Sequence, residues 1–247
     1  MRVPRLFVEH DLAAGRSVGL APSQAHYLHN VLRLGGGDIV HLFNGRDGEW
    51  RGTVDALRRG WCSVALSERI RTQQAERDLW LVFAPIKRAR IDFVASKATE
   101  LGAAALVPVF TDNTDVGRVN AERLRANAME AAEQCGRLTV PAVREPVALA
   151  ALLRGWPAER RLLVCDESGE GAPILDVLQA MEDGAAAAPW AILVGPEGGF
   201  SRAELDLVAE TTIVTRVGLG PRILRADTAA VAALACWQAV LGDWRAS

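Results

Sequence analysis

The sequence predicts an α/β protein in which a small β-barrel precedes a larger domain of mostly parallel strands and helices. Three observations support this fold class. The 247 residues are 50% hydrophobic and 23% charged, which is typical of a globular chain with a sizeable core. The early part of the chain contains short strand-like runs ending in turn signals. The later part alternates apolar runs with segments of helical spacing.

The first domain is predicted to be a small β-barrel at residues 1–72. Its strand-like runs lie at residues 6–8, 39–43, 49–54 and 61–66. The last run alternates, so that Cys62, Val64 and Leu66 share one face of the strand. Asn44-Gly45 is a hairpin turn signal between the second and third runs.

The second domain is predicted at residues 78–247, after a polar linker at residues 71–78. Its apolar runs lie at residues 79–86, 105–110, 162–165, 191–194 and 212–217. Such runs, separated by segments of helical spacing, are typical of buried strands in a mostly parallel sheet. A ligand is therefore expected at the carboxyl ends of these strands.

Charge, cysteines and histidines exclude several classes of protein. The formal net charge of -2 excludes a uniformly basic nucleic-acid coat, and we expect no DNA partner. The four cysteines form no Cys-x-x-Cys pair, and all four histidines fall in the first 41 residues, so no metal site is predicted. The longest apolar stretch, residues 229–241, is shorter than the roughly 20 residues that cross a bilayer. We therefore expect a cytoplasmic protein without membrane contact.

A glycine-rich loop follows the predicted strand at residues 191–194. Residues 195–199 read Gly-Pro-Glu-Gly-Gly, and Ser201 with Glu204 forms a capping box for the next helix. Glycine lets backbone N–H groups come close to a ligand because it has no Cβ. The spacing differs from the dinucleotide and Walker motifs, which disfavours an ordinary site for either ligand. A tight turn that binds nothing is the alternative.

A second loop, residues 218–225, follows the last predicted strand. Its apolar Leu219, Ile223 and Leu224 stand among glycines and arginines, a mixture that suits a flat heteroaromatic ring. Arg225 remains available for an anion. The alternative is that Ile223 and Leu224 pack in the core. Asp227-Thr228 is expected to cap a helix at residues 229–241.

These loops, together with residues 97–102 (Lys-Ala-Thr-Glu-Leu-Gly) and residues 130–137 (Glu-Ala-Ala-Glu-Gln-Cys-Gly-Arg), resemble a known family. The match is to the ribosomal small subunit methyltransferase E family of the SPOUT class, and it extends to residues 5–8, 26–28 and 31–33. The resemblance implies a C-terminal SPOUT domain with a deep trefoil knot, preceded by a PUA-like RNA-binding barrel. It also implies a homodimer, which the apolar face of the final helix suits through Val231, Leu234, Trp237 and Val240.

The activity implied by the resemblance is methylation of N3 of a uridine in 16S ribosomal RNA of the small subunit, with S-adenosylmethionine as cofactor and no metal. The implied cofactor-binding residues are Val194, Gly195, Glu197, Gly198, Gly199, Leu219, Gly220, Ile223, Leu224 and Thr228. Arg225 and Glu197 are the implied catalytic residues. Glu197 either assists removal of the N3 proton or shapes the loop by bonding backbone N–H groups. Arg225 either stabilises charge on the uracil or binds phosphate.

The implied RNA-binding residues are basic, and they are Arg5, Arg33, Lys87, Arg88, Arg90 and Arg137. For each, a solvated surface residue is the alternative. One departure from the family pattern is Asp227, where the family usually has glutamate. Two other functions remain open, namely methylation of a ribose 2′-hydroxyl by a SPOUT enzyme and RNA binding without catalysis.

Overall fold

The computed structural model of the protein describes residues 3–58, 60–181, 185–211 and 213–245, without the side chains of Arg88 and Ala186. The chain forms two compact units. The first unit comprises Met1–Ala75 and Ala132–Val140, and the second comprises Glu76–Ala131 and Pro141–Ser247. The short segment at residues 132–140 therefore belongs with the first unit, although it lies well beyond the predicted linker.

The first unit is built on a five-stranded sheet in the order β1-β3-β4-β5-β2. Its elements are β1 (Arg5–Phe7), β2 (Ser17–Leu20), α1 (Pro22–His26), a π-helical turn (Tyr27–Val31), β3 (Ile39–Phe43), β4 (Glu49–Arg58) and β5 (Trp61–Arg71). β1 pairs with β3 in parallel, and the other pairs are antiparallel.

In β5, Cys62, Val64 and Leu66 are buried in the core of the first unit as the alternation predicts, although Ser63 between them is buried as well. The predicted turn between β3 and β4 is also confirmed. Asn44 accepts hydrogen bonds from two backbone N–H groups of this turn, and Gly45 adopts a left-handed φ of 78°.

The second unit contains an eight-stranded sheet, and all of its strand pairs are parallel. Seven strands follow the order β11-β13-β10-β12-β6-β7-β8, and β9 also pairs with β7. The strands are β6 (Leu79–Phe83), β7 (Ala105–Phe110), β8 (Ala142–Val143), β9 (Val147–Ala148), β10 (Arg161–Cys165), β11 (Ala172–Pro173), β12 (Trp190–Val194) and β13 (Val214–Gly218). The predicted α/β class with a mostly parallel sheet is confirmed.

The helices that follow these strands are α2 (Arg88–Glu100), α3 (Ala121–Cys135), α4 (Leu149–Arg154), α5 (Ile174–Gln179), α6 (Arg202–Ala209) and α7 (Ala226–Val240). The last four residues of α3 belong to the first unit. A 3-10 turn lies at Ala185–Ala187. Within the described residues, no helix is long and apolar enough to cross a membrane.

The start of α7 differs from the sequence prediction. The helix begins at Ala226, and Arg225 occupies the N-cap position in an extended conformation. Asp227 and Thr228 therefore lie in the first turn of the helix and do not cap it. An acidic residue in a first turn is favourable because it faces the positive end of the helix dipole. Leu234 and Trp237 on this helix are fully buried.

Candidate functional site

A cavity of about 770 Å³ lies at the carboxyl ends of three neighbouring strands of the second unit. β10 stands in the middle, with β13 on one side and β12 on the other. The loop after each strand contributes to the walls, as parallel topology predicts. The predicted site residues that line the cavity are Val194, Gly195, Glu197, Gly199, Leu219, Gly220, Ile223, Leu224 and Arg225, together with Lys87 and Arg90.

The loop after β12 is held in shape by its own backbone and by the start of α6. The N–H of Gly199 donates to the Pro196 carbonyl at 3.0 Å, and Gly199 has a left-handed φ of 68°. The predicted capping box is confirmed. The Ser201 hydroxyl accepts from the Glu204 N–H at 3.3 Å, and the Glu204 carboxylate accepts from the Ser201 N–H at 2.9 Å.

Two residues that follow β7 anchor this loop from outside. The amide of Asn113 donates to the carbonyls of Gly198 and Gly199 at 3.1 and 3.0 Å. The Asp112 N–H donates to Glu204 at 2.9 Å, and the Asp112 carboxylate accepts from the Ser201 hydroxyl at 2.6 Å. These bonds hold the carbonyls of Gly198 and Gly199 and the start of α6, so they brace this wall of the cavity from outside. Gly198 faces Asn113 and is not among the residues that line the cavity.

The loop after β13 presents apolar side chains to the cavity. Ile223 is 84% exposed, so the alternative that it packs in the core is wrong. Leu224 is half-buried and also lines the cavity. Thr228 is exposed on α7 and does not line the cavity, whereas Ala226 and Ala229 of the same helix do.

The third wall is the loop after β10, for which sequence reasoning named no site residue. Its lining residues are Cys165, Asp166, Glu167, Gly169, Gly171 and Pro173. An Asp-Glu-Ser-Gly sequence directly after a predicted strand was the signal that could have indicated it. Burial raises the pKa of the Cys165 thiol to about 12, with a further contribution from Cys236, so Cys165 is not an activated nucleophile.

Asp166 fixes the loop after β10. Its carboxylate accepts from the Ser168 N–H and hydroxyl, both at 2.9 Å, and from the Arg216 guanidinium at 2.6 Å. Burial of Asp166 acts to raise its pKa, but these hydrogen bonds and the Arg216 charge outweigh burial and hold the pKa below its ordinary value. The Asp166 carboxylate is therefore engaged in shaping this loop.

Glu197 and Arg90 meet at the rim of the cavity. Their side chains form an ion pair, and the Arg90 Nε lies 3.9 Å from the Asp227 carboxylate. Arg90 thus joins the start of α2 to the loop after β12 and to the first turn of α7. Neither Arg90 nor Glu197 presents a bare charge to a ligand in this arrangement.

Comparison with known proteins places this geometry in a family. The family model for an RNA methyltransferase domain matches residues 73–238, and the model for an RNA methyltransferase PUA domain matches residues 20–60. The ribosomal RNA small subunit methyltransferase E of Rickettsia conorii is 32% identical over 237 residues, which cover 95% of each chain. The chain belongs to the ribosomal RNA small subunit methyltransferase E family.

Solved structures agree with this family membership, so the resemblance noted in the sequence is confirmed. The ribosomal RNA small subunit methyltransferase E of Neisseria gonorrhoeae, solved bound to S-adenosylmethionine, has a TM-score of 0.87 to this chain and 26% identity. The match covers 99% of this chain and 100% of that one. A methyltransferase structure from Legionella pneumophila with bound S-adenosylmethionine gives a TM-score of 0.86 at 27% identity, covering 98% of this chain and 100% of that one.

The RNA-binding role expected for Arg5 is contradicted by its surroundings. The Arg5 guanidinium is buried, where it donates to Glu49 at 2.6 Å and to the carbonyls of Ala132, Glu133 and Arg137 at 2.9, 2.9 and 2.7 Å. All of its donor nitrogens are used inside the first unit. Arg5 therefore holds residues 132–140 against this unit, and its buried guanidinium is not exposed to bind phosphate.

The other expected RNA-binding residues have different surroundings. Lys87 and Arg33 are exposed, and Arg33 adopts a left-handed φ of 56°. Arg137 is half-buried and donates from its Nε to Thr139 at 3.2 Å. Arg88 begins α2, and its side chain lies outside the described part of the structure. Among the described residues, no group of three or more His, Cys, Asp or Glu side chains is arranged to hold a metal ion.

Proposed function

We propose that this chain transfers a methyl group from S-adenosylmethionine to N3 of a uridine in 16S ribosomal RNA, within the small ribosomal subunit. In this proposal residues 78–247 form the methyltransferase domain, and residues 1–72 form a PUA-like barrel that binds RNA. The observation that supports it most directly is the three-walled cavity at the strand ends, in a chain of this methyltransferase family.

The residues present fit S-adenosylmethionine. The cavity lies within the range of about 300–1,000 Å³ that is usual for small-molecule sites. Glycines along all three walls leave backbone groups open to a ligand, and Leu219, Ile223 and Leu224 offer an apolar surface for the adenine ring. When bound, the cofactor supplies an electrophilic methyl group on a sulfonium centre.

The chain's own residues then have two tasks, to orient the uracil and to stabilise it as N3 loses its proton. Arg225 is exposed, lines the cavity and stands at the N-cap of α7, where its charge can face incoming RNA. We assign it the stabilisation of negative charge on the uracil. For Glu197, the ion pair with Arg90 supports the role of shaping the loop more than that of a base.

A trefoil knot is also part of the proposal. β13 lies on one side of β10, whereas α7, the next element, packs against β12 and α2 as well as against α5. The chain after β13 therefore leads back toward the ends of β10 and β12. This return path, close to the ends of β10 and β12, supports threading of the kind that forms a knot.

RNA contacts are proposed for Lys87, Arg88, Arg33 and Arg137, since positively charged side chains provide most contacts to phosphate. Arg90 is proposed to act through its ion pair with Glu197. The substrate lies in the small ribosomal subunit, and we accordingly propose that the protein works in the cytoplasm.

A homodimer remains part of the proposal. Leu234 and Trp237 fill the core, so Val231 and Val240, which are partly exposed, are the remaining apolar residues of the expected α7 face. Light scattering at micromolar concentration is expected to give about twice the chain mass of 26.6 kDa. A mass equal to that of one chain would contradict the dimer.

The proposed activity is tested with small ribosomal subunits from a strain that lacks the enzyme. The subunits are incubated with S-adenosylmethionine and the protein, and the 16S RNA is then copied by reverse transcriptase. An N3 methyl group blocks Watson–Crick pairing, so a new stop at one uridine is expected. The control for an arginine variant at the cavity, such as Arg225→Ala, is Arg202→Ala. This change removes an exposed arginine of α6 outside the cavity and is expected to leave the stop unchanged. Methyl incorporation into a ribose hydroxyl, or none at all, would contradict the proposal.

A further inference from the structure

The carboxylates that line the cavity differ in whether they have a hydrogen-bonding or charged partner. Three carboxylates line it, namely Asp166, Glu167 and Glu197. Asp166 is bonded to Arg216 and Ser168, and Glu197 is paired with Arg90. Within the described part of the chain, Glu167 has neither a hydrogen bond nor an ion pair. Glu167 is exposed, so it is the carboxylate of the cavity that is available to pair with a ligand.

The backbone at Glu167 is held in place, although its carboxylate is exposed and unpaired. The Asp166 N–H donates to the Val217 carbonyl at 2.9 Å, and the Asp166 carboxylate accepts from the Ser168 N–H. These bonds hold the backbone on either side of Glu167 in a tight turn. A restrained backbone limits where the Glu167 side chain can reach, so its placement in the cavity is a property of the loop.

The Glu167 side chain leans toward the loop after β12. A Cβ added to Gly199 would overlap the Glu167 Oε1, so the glycine leaves the room that the carboxylate occupies. Gly199 belongs to the wall opposite Leu219, Ile223 and Leu224, since β10 separates β12 from β13. The carboxylate therefore lies on the side of the cavity away from the apolar surface that suits an aromatic ring.

We infer that Glu167 binds the α-ammonium group of the cofactor's amino-acid part. This inference rests on the proposed function, because it assumes that S-adenosylmethionine occupies the cavity. With the adenine on the β13 side, the end of the cofactor remote from the ring extends toward β12. An ammonium group donates up to three N–H hydrogen bonds to a carboxylate, whereas a sulfonium centre has no N–H to donate. Glu167 is accordingly a residue that selects ligands carrying the amino-acid part.

Three ligands separate the contributions to this contact. S-adenosylmethionine carries both the sulfonium and the ammonium, S-adenosylhomocysteine carries the ammonium alone, and 5′-methylthioadenosine has neither but keeps the adenine and ribose. Their affinities are measured by calorimetry for the wild type, for Glu167→Gln and for Glu167→Ala. The matched control is Glu170→Gln, which removes the same charge from the same loop outside the cavity, where Glu170 lies 3.1 Å from Arg216.

We expect Glu167→Gln and Glu167→Ala to weaken both amino-acid-bearing ligands by on the order of tenfold and to leave 5′-methylthioadenosine unchanged. Glu170→Gln is expected to change none of the three. Equal weakening of all three ligands would assign Glu167 to the ribose hydroxyls and overturn the inference, as would weakening of S-adenosylmethionine alone or no change. Failure of the wild type to bind S-adenosylmethionine would instead overturn the proposed function, so the two failures are distinguishable.

Discussion

Arg5 in the first unit and Arg90 in the second are both arginines paired with carboxylates, and both were expected to bind RNA. The Arg5 side chain is 6% exposed and its partner Glu49 only 2%, and the guanidinium also bonds three backbone carbonyls. The Arg90 side chain is 31% exposed and its partner Glu197 48%. A buried charge must be fully satisfied inside the protein, whereas a half-exposed charge can exchange its partner for water or ligand. Depth, and not residue type, separates the structural arginine from the one at the site.

The largest effect in this comparison is expected for Arg5→Met. Removing the guanidinium leaves Glu49 buried with a weaker set of partners and frees the carbonyls of Ala132, Glu133 and Arg137. Breaking a buried pair in this way costs about 3–5 kcal/mol of the free energy of unfolding. Urea denaturation measures the loss. The control Arg16→Met removes an exposed pair with Asp11 and is expected to change the stability by less than about 0.5 kcal/mol. A stable Arg5→Met variant with weakened RNA binding would restore the RNA-binding role of Arg5.

The next largest effect is expected for Arg225→Ala, which tests a cationic residue at the cavity that faces a ligand. Loss of a charge-assisted contact costs about 1.5–3 kcal/mol, or about 10- to 150-fold, in the single-turnover rate at saturating RNA. The affinity for S-adenosylmethionine should change little. Arg225→Lys keeps the charge but loses the planar fork, so partial recovery would indicate a phosphate contact. If neither the rate nor RNA affinity changes in Arg225→Ala, Arg225 serves the fold alone.

A smaller effect is expected at His41, whose Nδ1 lies 3.4 Å from Oε1 of Glu49, the carboxylate that is paired with Arg5. Burial lowers the pKa of His41 below its ordinary value of 6.5, although the Glu49 charge acts in the opposite direction. The unfolded chain therefore binds a proton more readily than the folded one, so the stability contributed by neutral His41 is complete above pH 6.5 and is lost as the pH falls below it. We expect His41→Gln to flatten the decline in unfolding free energy as the pH falls below about 6.5. A slope in His41→Gln similar to that of the wild type would contradict the assignment.

The smallest effect on stability is expected for Arg90→Met. Because both members of the Arg90–Glu197 pair are partly exposed, its loss should lower the free energy of unfolding by less than about 1 kcal/mol. A double-mutant cycle with Glu197→Gln measures the coupling directly. A coupling energy as large as the loss of unfolding free energy in Arg5→Met would show that solvent exposure does not distinguish the Arg5–Glu49 pair from the Arg90–Glu197 pair.

The sequence by itself determined the fold class of the second unit and two of the three cavity walls. Apolar runs separated by helical spacing predicted the parallel strands, and the glycine-rich loops after β12 and β13 were recognisable because glycine and capping residues act locally. The capping box at Ser201 and Glu204 was likewise predicted, since its partners are three residues apart.

Tertiary structure alone decided the partners of individual charges. Arg5 and Arg137 are both arginines, and the sequence alone does not show which of them is buried. Only the packing of residues 132–140 within the first unit shows that Arg5 is buried. The wall that contains Glu167 was missed because its place at the cavity depends on β10 lying between β12 and β13 in the sheet. This spatial order differs from the order of the three strands along the chain. Local patterns determine which elements form, because their interactions span a few residues. Burial and charge pairing depend on contacts such as that between Arg5 and Ala132, 127 residues apart, which no local pattern contains.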